Sequence, residues 1–313
     1  MEGEFQFIER LKSLIPRSLQ GEVPIGDDTA VLPFSKGKFL LFTTDAVVEG
    51  VDFLVGKRGA KPEAIGHKAL AVNLSDMAAM GGRPLAFVAT FGIPRSFSEA
   101  WVERAAKGIL RLARQFKVQW VGGDISRAKQ LFISIALIGE IKKEKVVLRK
   151  GAKAGNRIYV SGSLGGSIQG KHLSFTPRLR EAQFLVRNFR PTSMIDISDG
   201  FIQDLEHLLK ASGVGALIEL DRIPISKAAQ RPAAASRRKA LQAALTDGED
   251  FELLWTLPPH PAKRLEKIWP EYFPKVLLTR VGEIRSGSGQ IHWWARGRRL
   301  RKLWFQKKGF THF

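Results

Sequence analysis

The residues best able to do chemistry in this chain are aspartates, and they are gathered rather than scattered. They fall in IGDDTAVL (25–32), FTTDAVVEGVDF (42–53), NLSDMAAMGG (73–82), VGGDISRA (121–128), MIDISDG (194–200) and DGEDFELL (247–254). Each segment ends an apolar run and sets Asp beside Gly, Ser or Thr. A short carboxylate in such a loop is the usual oxygen ligand of a hard divalent cation, and Mg²⁺ takes few protein oxygens while keeping water and substrate phosphates. Several loops of this kind predict more than one ion and a phosphate-bearing substrate. Taken singly, each also reads as a turn, because Asp and Gly are common turn formers. The set together favours a metal and phosphate site. Asp27 and Asp28 pose the sharpest case, since adjacent carboxylates repel unless a cation or hydrogen bonds compensate them. In an extended segment their side chains point to opposite faces, which leaves one for the ions and one to brace the loop. Asp204 and Asp221 stand outside the set, the first on what reads as an exposed helix face.

Other chemistries lack their residues. There is no cysteine, so disulfides, thiolate metal sites and cysteine nucleophiles are excluded. The six histidines show no paired metal spacing and read as surface or core residues. Neither a GxxxxGK[ST] phosphate loop nor a GxSxG elbow occurs. The glycine-rich SGSLGGS (161–167) follows a strand-like run and reads equally as a phosphate-approaching loop or as a flexible turn. Lys and Arg outnumber Asp and Glu by 50 to 30, a formal net charge of +20, which raises nucleic acid as a partner. The excess is spread along the whole chain. Its densest run, ARGRRLRKLWFQKKG (295–309), therefore reads as a solvated basic segment, and nucleic acid is not the expected partner. The opening MEGEFQFIERLKSLIP has acids where a secretory signal would be basic and then apolar. No run has the length to cross a bilayer. The expectation is a soluble, cytoplasmic protein without a membrane partner.

The elements that must position these loops alternate between strand and helix. KFLLFTT (38–44), LAFVATFGI (85–93) and LFISIALIGEI (131–141) are rich in branched and aromatic residues and predict strands. KPEAIGHKALAVNLSDMAAMG (61–81) and SEAWVERAAKGILRLARQFK (98–117) have helical spacing, with Pro62 in a first turn, Gly81 and Gly82 as a stop and Ser98 as a cap. Strands follow at RIYVSG, GALIEL, FELLWTL, VLLTRVGEI and QIHWWA, with helices at LREAQFLVRNF, GFIQDLEHLLKAS and RRKALQAALT. A chain of 313 residues exceeds what one core usually serves. The polar stretch KKEKVVLRKGAKAGN places a boundary near residue 150, giving α/β domains over 1–150 and 151–313.

In order and at fitting intervals, IGDDTAVL, TTDAVVEGVDF, HKALAVNLSDMAAMGGRP, VGGD, LRKGAKAGN, DISDGFIQDL, GEDFELLWT and the closing KKGFTHF resemble the thiamine-monophosphate kinase family. That family lies within the wider aminoimidazole-ribonucleotide-synthetase-like superfamily. The resemblance implies a two-domain α/β (α+β) fold. Its N-terminal sheet domain would bind ATP and Mg²⁺ and form a homodimer, and its C-terminal α/β domain would close the active site. It implies direct phosphoryl transfer from ATP to thiamine monophosphate with no covalent nucleophile. By motif, Asp28, Thr43, Thr44, Asp45, Asp76, Asp124, Asp196 and Asp199 match magnesium ligands. Gly123, Asp124, Arg149 and Ser198 match ATP contacts, Arg149 as a clamp on phosphate oxygens. Asp52, Glu249 and Phe310 match the acceptor end, and Asp27 takes the supporting, water-mediated place. Three positions depart from the family pattern: Asp52 stands where His is usual, Asp247 where Gly is usual, and Phe310 where Tyr is usual. All three touch the acceptor side. A related ATP-dependent synthetase acting on another small phosphate is the alternative enzyme reading. The lack of cysteine and the match of the tail and GEDFEL weigh against it.

Overall fold

Along FISIALIGEIK, residues shut off from solvent alternate strictly with partly exposed ones, so the segment has two unlike faces. It lies at the centre of the first of two sheets. The computed structural model describes residues 4–17, 23–56, 59–231, 236–306 and 309. In its first half α1 (Glu4–Leu14) precedes β1 (Ala30–Ser35), β2 (Lys38–Val48), α2 (Pro62–Ala79), β3 (Arg83–Ile93), α3 (Glu99–Phe116), β4 (Gln119–Arg127) and β5 (Phe132–Lys142). The sheet runs β1-β2-β5-β3-β4, antiparallel except for β3 and β4, whose parallel pairing requires the α3 crossover. Leu41, Phe87, Ile133, Ile135 and Leu137 face the helices and are buried. The opposite face carries Phe42, Ile138 and Ala86 in one cross-strand row and Thr44, Ala136, Val88 and Gly122 in the next. Phe42 and Val88 on that face are both 40% exposed, so among the described residues no element covers them.

The helix α2 has no solvent face. Of its 18 residues 14 are buried, the pattern of a core helix rather than an amphipathic one. On one side it meets α3 backbone to backbone. A Cβ on Gly66 would lie 1.9 Å from the Ala105 carbonyl oxygen, and one on Gly108 2.0 Å from that of Glu63. Pro62 sits in the first turn and Gly81, at φ 72°, follows the end, as the punctuation predicts. Ser98 caps α3 by accepting the Trp101 N–H at 3.3 Å.

The second half contains β6 (Arg157–Ser161), α4 (Leu179–Asn188), β7 (Ser193–Asp196), α5 (Phe201–Ser212), β8 (Gly215–Glu219) and α6 (Lys227–Gln230). It continues with α7 (Arg237–Thr246), β9 (Leu253–Leu257), α8 (Pro259–Tyr272), β10 (Leu278–Arg285), β11 (Ile291–Ala295) and β12 (Arg298–Leu300). Its sheet runs β12-β11-β8-β10-β6-β9-β7. One face, with Tyr159, Met194 and Trp255, joins the core that includes α2 and the first sheet. The other, with Ile158 and Val160, packs on Leu205 of α5 and Leu245 of α7. The α8 helix, which contains three prolines, is absent from the sequence reading. Pro259 and Pro261 fall in the first turn, where N–H groups have no helical partner, and Pro270 falls in the last. Among the described residues no helix is long and apolar enough to cross a membrane.

The α2–α3 contact leaves no room for a methyl group. Gly66→Ala or Gly108→Ala should each cost about 1–3 kcal/mol through forced backbone displacement. The check is the denaturant midpoint, and an unchanged midpoint would contradict the close packing.

Candidate active site

Three aspartates far apart in the chain meet beside α2. Asp28 precedes β1, Asp76 lies in the last turns of α2, and Asp196 ends β7. One carboxylate oxygen from each lies within 4.8 Å of the others. Hydroxyl groups orient two of them. Thr43 Oγ1 donates to Asp76 Oδ2 at 2.5 Å, and Ser75 Oγ donates to Asp196 Oδ2 at 2.5 Å. The third is held by Arg149, whose Nη2 donates to Asp28 Oδ1 at 2.7 Å. The Arg149 backbone N–H donates to Asp27 Oδ1 at 2.9 Å, so the paired acids grip one residue by its main chain and its guanidinium.

The electrostatics are those of an under-compensated anion cluster. Burial, and then the charge of Asp28, pushes Asp196 up to about 7. Enclosure, followed by the charges of Asp45, Asp196 and Asp28, holds Asp76 well above the ordinary carboxylate range. Burial and Asp28 raise Asp27 to about 6. Burial opposes the charge on Arg149, but Asp28 outweighs it and raises the guanidinium further. Asp28 Oδ2 is buried with no hydrogen-bond partner among the described residues. A lone buried acceptor among converging carboxylates fits a hard divalent cation, with oxygen donors only.

The remaining predicted residues divide into two groups. Asp45 shares the helix-side face of β2 with Thr43, near enough to act on Asp76 and Asp196. Ser198 and Asp199 follow Asp196 in the β7–α5 loop, where Gln203 Nε2 donates to Asp199 Oδ2 at 3.1 Å. Glu249 is tied to this loop, its N–H donating to the Ser198 carbonyl at 2.6 Å. Thr44, Gly123 and Asp124 are not brought into the cluster. Thr44 points to the opposite face of β2. Asp124 is exposed on edge strand β4, in register with Thr90 and accepting from Ser126 Oγ at 2.7 Å. Gly123 and Asp124 instead border a cleft of about 720 Å³ with Trp120 and with Val102, Glu103 and Ala106 of α3. Gly123 also has a packing reason, since a Cβ there would lie 1.9 Å from the Ala89 carbonyl oxygen. Phe310 lies outside the described residues.

Some sequence readings need correction. Asp204 is not on an exposed face. It is 2% exposed, and its Oδ2 accepts the N–H groups of Asp199 and Gly200, both at 3.1 Å, so it shapes the loop after β7. The SGSLGGS loop is pinned rather than open. Asp247 Oδ2 accepts the Gly166 N–H at 3.0 Å, and Asp250 accepts the Gly165 N–H at 2.8 Å. Those amides are therefore already engaged. Asp52 closes its own turn, its Oδ2 accepting the Val48 N–H at 2.7 Å. Sequence reasoning missed Lys68 and His172, which surround Glu249. The available signal was Lys68 itself, a charge directly before the apolar run ALAVNL (69–74) and seven residues before Ser75, hence on the same helix face.

Two sheets joined through a buried helix, with carboxylates converging from strand and helix ends, define an α/β protein with a candidate metal and phosphate site. Residues 26–141 match the family described as AIR synthase related protein, N-terminal domain. The chain is 37% identical to the thiamine-monophosphate kinase of Rhodopirellula baltica, covering 91% of this chain and 90% of that protein. It is 34% identical to that of Aquifex aeolicus, covering 99% and 98%. The solved structure of AaThiL complexed with AMPPCP and TMP superposes with a TM-score of 0.82 at 31% identity, covering 99% of this chain and 97% of that one. The chain belongs to the thiamine-monophosphate kinase family.

The raised carboxylates carry a pH signature. Above pH about 4 the unfolded chain releases protons that the cation-free folded cluster retains, so this cluster costs stability as pH rises towards about 7. A bound divalent cation replaces those protons. Mg²⁺ should therefore raise the melting temperature more near pH 8 than near pH 5. Equal shifts at the two pH values would count against a cation in this cluster.

Proposed function

We propose that this protein transfers the γ-phosphoryl group of ATP to thiamine monophosphate, giving thiamine diphosphate and ADP. The observation that carries this reading is the convergence of Asp28, Asp76 and Asp196 with Arg149 at one point, in a chain of this family. Asp28, Thr43, Asp45, Asp76, Asp196 and Asp199 would hold Mg²⁺, whose charge neutralises phosphate oxygens when bound. The acceptor is already an anionic phosphate, so an oxygen of it attacks the γ-phosphorus in line while the β–γ bridging oxygen leaves with ADP. No base and no protein nucleophile are needed, and positioning with charge compensation does the work. Arg149 presents a planar guanidinium beside the cluster, suited to phosphate oxygens. Its Nε is buried and has no partner among the described residues, so the guanidinium's hydrogen bonding is incomplete here. Ser198 would contact the nucleotide from the β7–α5 loop.

The same reading includes two domains, over 1–150 and 151–313, and a homodimer in the cytoplasm, where ATP is supplied. The uncovered sheet face supports the dimer. Asp124 lies three strands from the β2 row, about 14 Å at ordinary strand spacing. Within one chain it cannot join the cluster. Two open faces packed about a two-fold axis would carry Thr44, Gly123 and Asp124 of one protomer towards the nucleotide site of its partner.

Incubation with ATP, Mg²⁺ and thiamine monophosphate should yield thiamine diphosphate. ATP consumption with another small phosphate instead would overturn the acceptor assignment. Asp28→Asn should lower activity at least about tenfold more than Asp27→Asn, because the first removes a ligand and the second a brace. The reverse order would refute these roles. Val88→Arg on the open face should give a folded monomer with little activity by light scattering and assay. A fully active monomer would exclude the dimer-borne role of Asp124.

A further inference from the structure

The basic run 295–309 reads in the sequence as a solvated segment, but its first part has a definite shape. Strands β11 and β12 pair as an antiparallel hairpin at the edge of the second sheet. Beside the hairpin lies a cavity of about 400 Å³, within the size range of ligand pockets. Arg296 and Arg298 border it from the hairpin and Arg237 and Arg238 from the start of α7, while Leu241 and Trp304 give it an apolar wall. No residue of the aspartate cluster lines it.

The charge here is unbalanced. Among the lining residues the one carboxylate is that of Asp221. Its Oδ2 already accepts the Arg296 backbone N–H at 2.6 Å, and its Oδ1 lies 3.7 Å from Arg237 Nη2. All four arginines are exposed, and among the described residues Arg238, Arg296 and Arg298 make no ion pair. The α7 helix opens with Arg237, Arg238 and Lys239 and has no acid in its first turn, a grouping of like charge that the helix dipole disfavours. The hairpin turn, Arg296 and Gly297 at φ 49° and 70°, is of the two-residue kind that favours Asn-Gly, so an arginine in its first place is itself a cost.

Aromatic rings stand among these cations. The Arg238 guanidinium lies 5.3 Å from the centroid of the Trp304 indole, and Phe305 meets that indole edge-on at 5.4 Å. On the hairpin's other face Trp294, 37% exposed, is in register with Arg299. Arg299, Arg301 and Lys302, all exposed, extend the positive charge beyond the cavity.

We infer that the β11–β12 hairpin and the start of α7 form a binding surface for single-stranded nucleic acid, with the arginines on its phosphates and its bases against the indoles. The planar guanidinium matches phosphate oxygens and also stacks on rings. A cationic groove interleaved with aromatic side chains is the composition of sequence-tolerant single-strand sites. A free nucleotide would occupy the cavity alone, whereas the charge running on to residue 302 matches a continuous chain of phosphates. A duplex would offer phosphates but keep its bases stacked away from Trp294 and Trp304.

The test is the fluorescence anisotropy of labelled oligouridylate and oligothymidylate, whose relative affinities identify RNA or DNA as the strand. Binding should be micromolar at physiological salt, with log K falling against log salt at a slope of about −2 to −3, as for three or four phosphate contacts. An abasic strand of equal length should bind at least about tenfold more weakly. Arg238→Glu combined with Arg298→Glu should weaken binding at least about tenfold. Lys263→Glu combined with Lys267→Glu removes the same net charge from α8, on the opposite face of the second sheet, and should change affinity by no more than about twofold. Equal loss in the two double variants, equal affinity for the abasic strand, or no binding by the wild-type protein would overturn the inference. Thermal melting by circular dichroism checks that each variant folds. If the Arg238→Glu, Arg298→Glu protein does not, Arg238→Gln with Arg298→Gln decides by the same comparison.

Discussion

Three carboxylates cannot share one pocket unless something opposes their repulsion, and most of this architecture can be traced to what opposes it here. Arg149 neutralises Asp28, and the hydroxyls of Thr43 and Ser75 stabilise Asp76 and Asp196 by donating to them. Each donor comes from a different part of the chain from its acceptor. The cluster therefore doubles as the polar joint between the halves, and the residual unpaired oxygen of Asp28 marks where compensation stops. Kinases of this kind need little beyond such a joint, since their chemistry lies in holding two anionic phosphates together.

The α2 helix makes that joint possible. A helix buried on all sides normally carries no polar side chains, yet this one carries Lys68, Ser75 and Asp76 towards the second sheet. Its small residues allow a close approach on the other side, against α3. The helix can thus sit between the two sheets at a fixed depth, and both charged centres inherit their spacing from its rise.

Much of this was legible in the residues. Alternation and branched residues marked β2, β3 and β5, and Pro62, Ser98 and Gly81 marked helix ends, because local backbone preference decides those features. Which aspartates meet was less legible. Asp76 and Asp196 converge through tertiary packing, and no spacing rule connects them. Asp204 misled because helical position says nothing about which neighbours cover it. The α8 helix was not read, although two of its three prolines stand in its first turn, where proline is harmless. Edge strand β4 was missed because VGGD reads as a turn, while its pairing partner lies beyond a whole helix. His172 carried no signal at all in isolation, because its partners are on α2 and in the DGEDF turn.

The Arg149–Asp28 and Ser75–Asp196 contacts each span 121 positions of sequence. Contacts of that range are slow to form, because loop-closure entropy must be met before they give anything back. A partly folded or partly synthesised chain can therefore build the first sheet before Asp196 joins Asp28 and Asp76. The cluster is complete only once these long-range contacts have formed, so its convergence is deferred until the fold is finished.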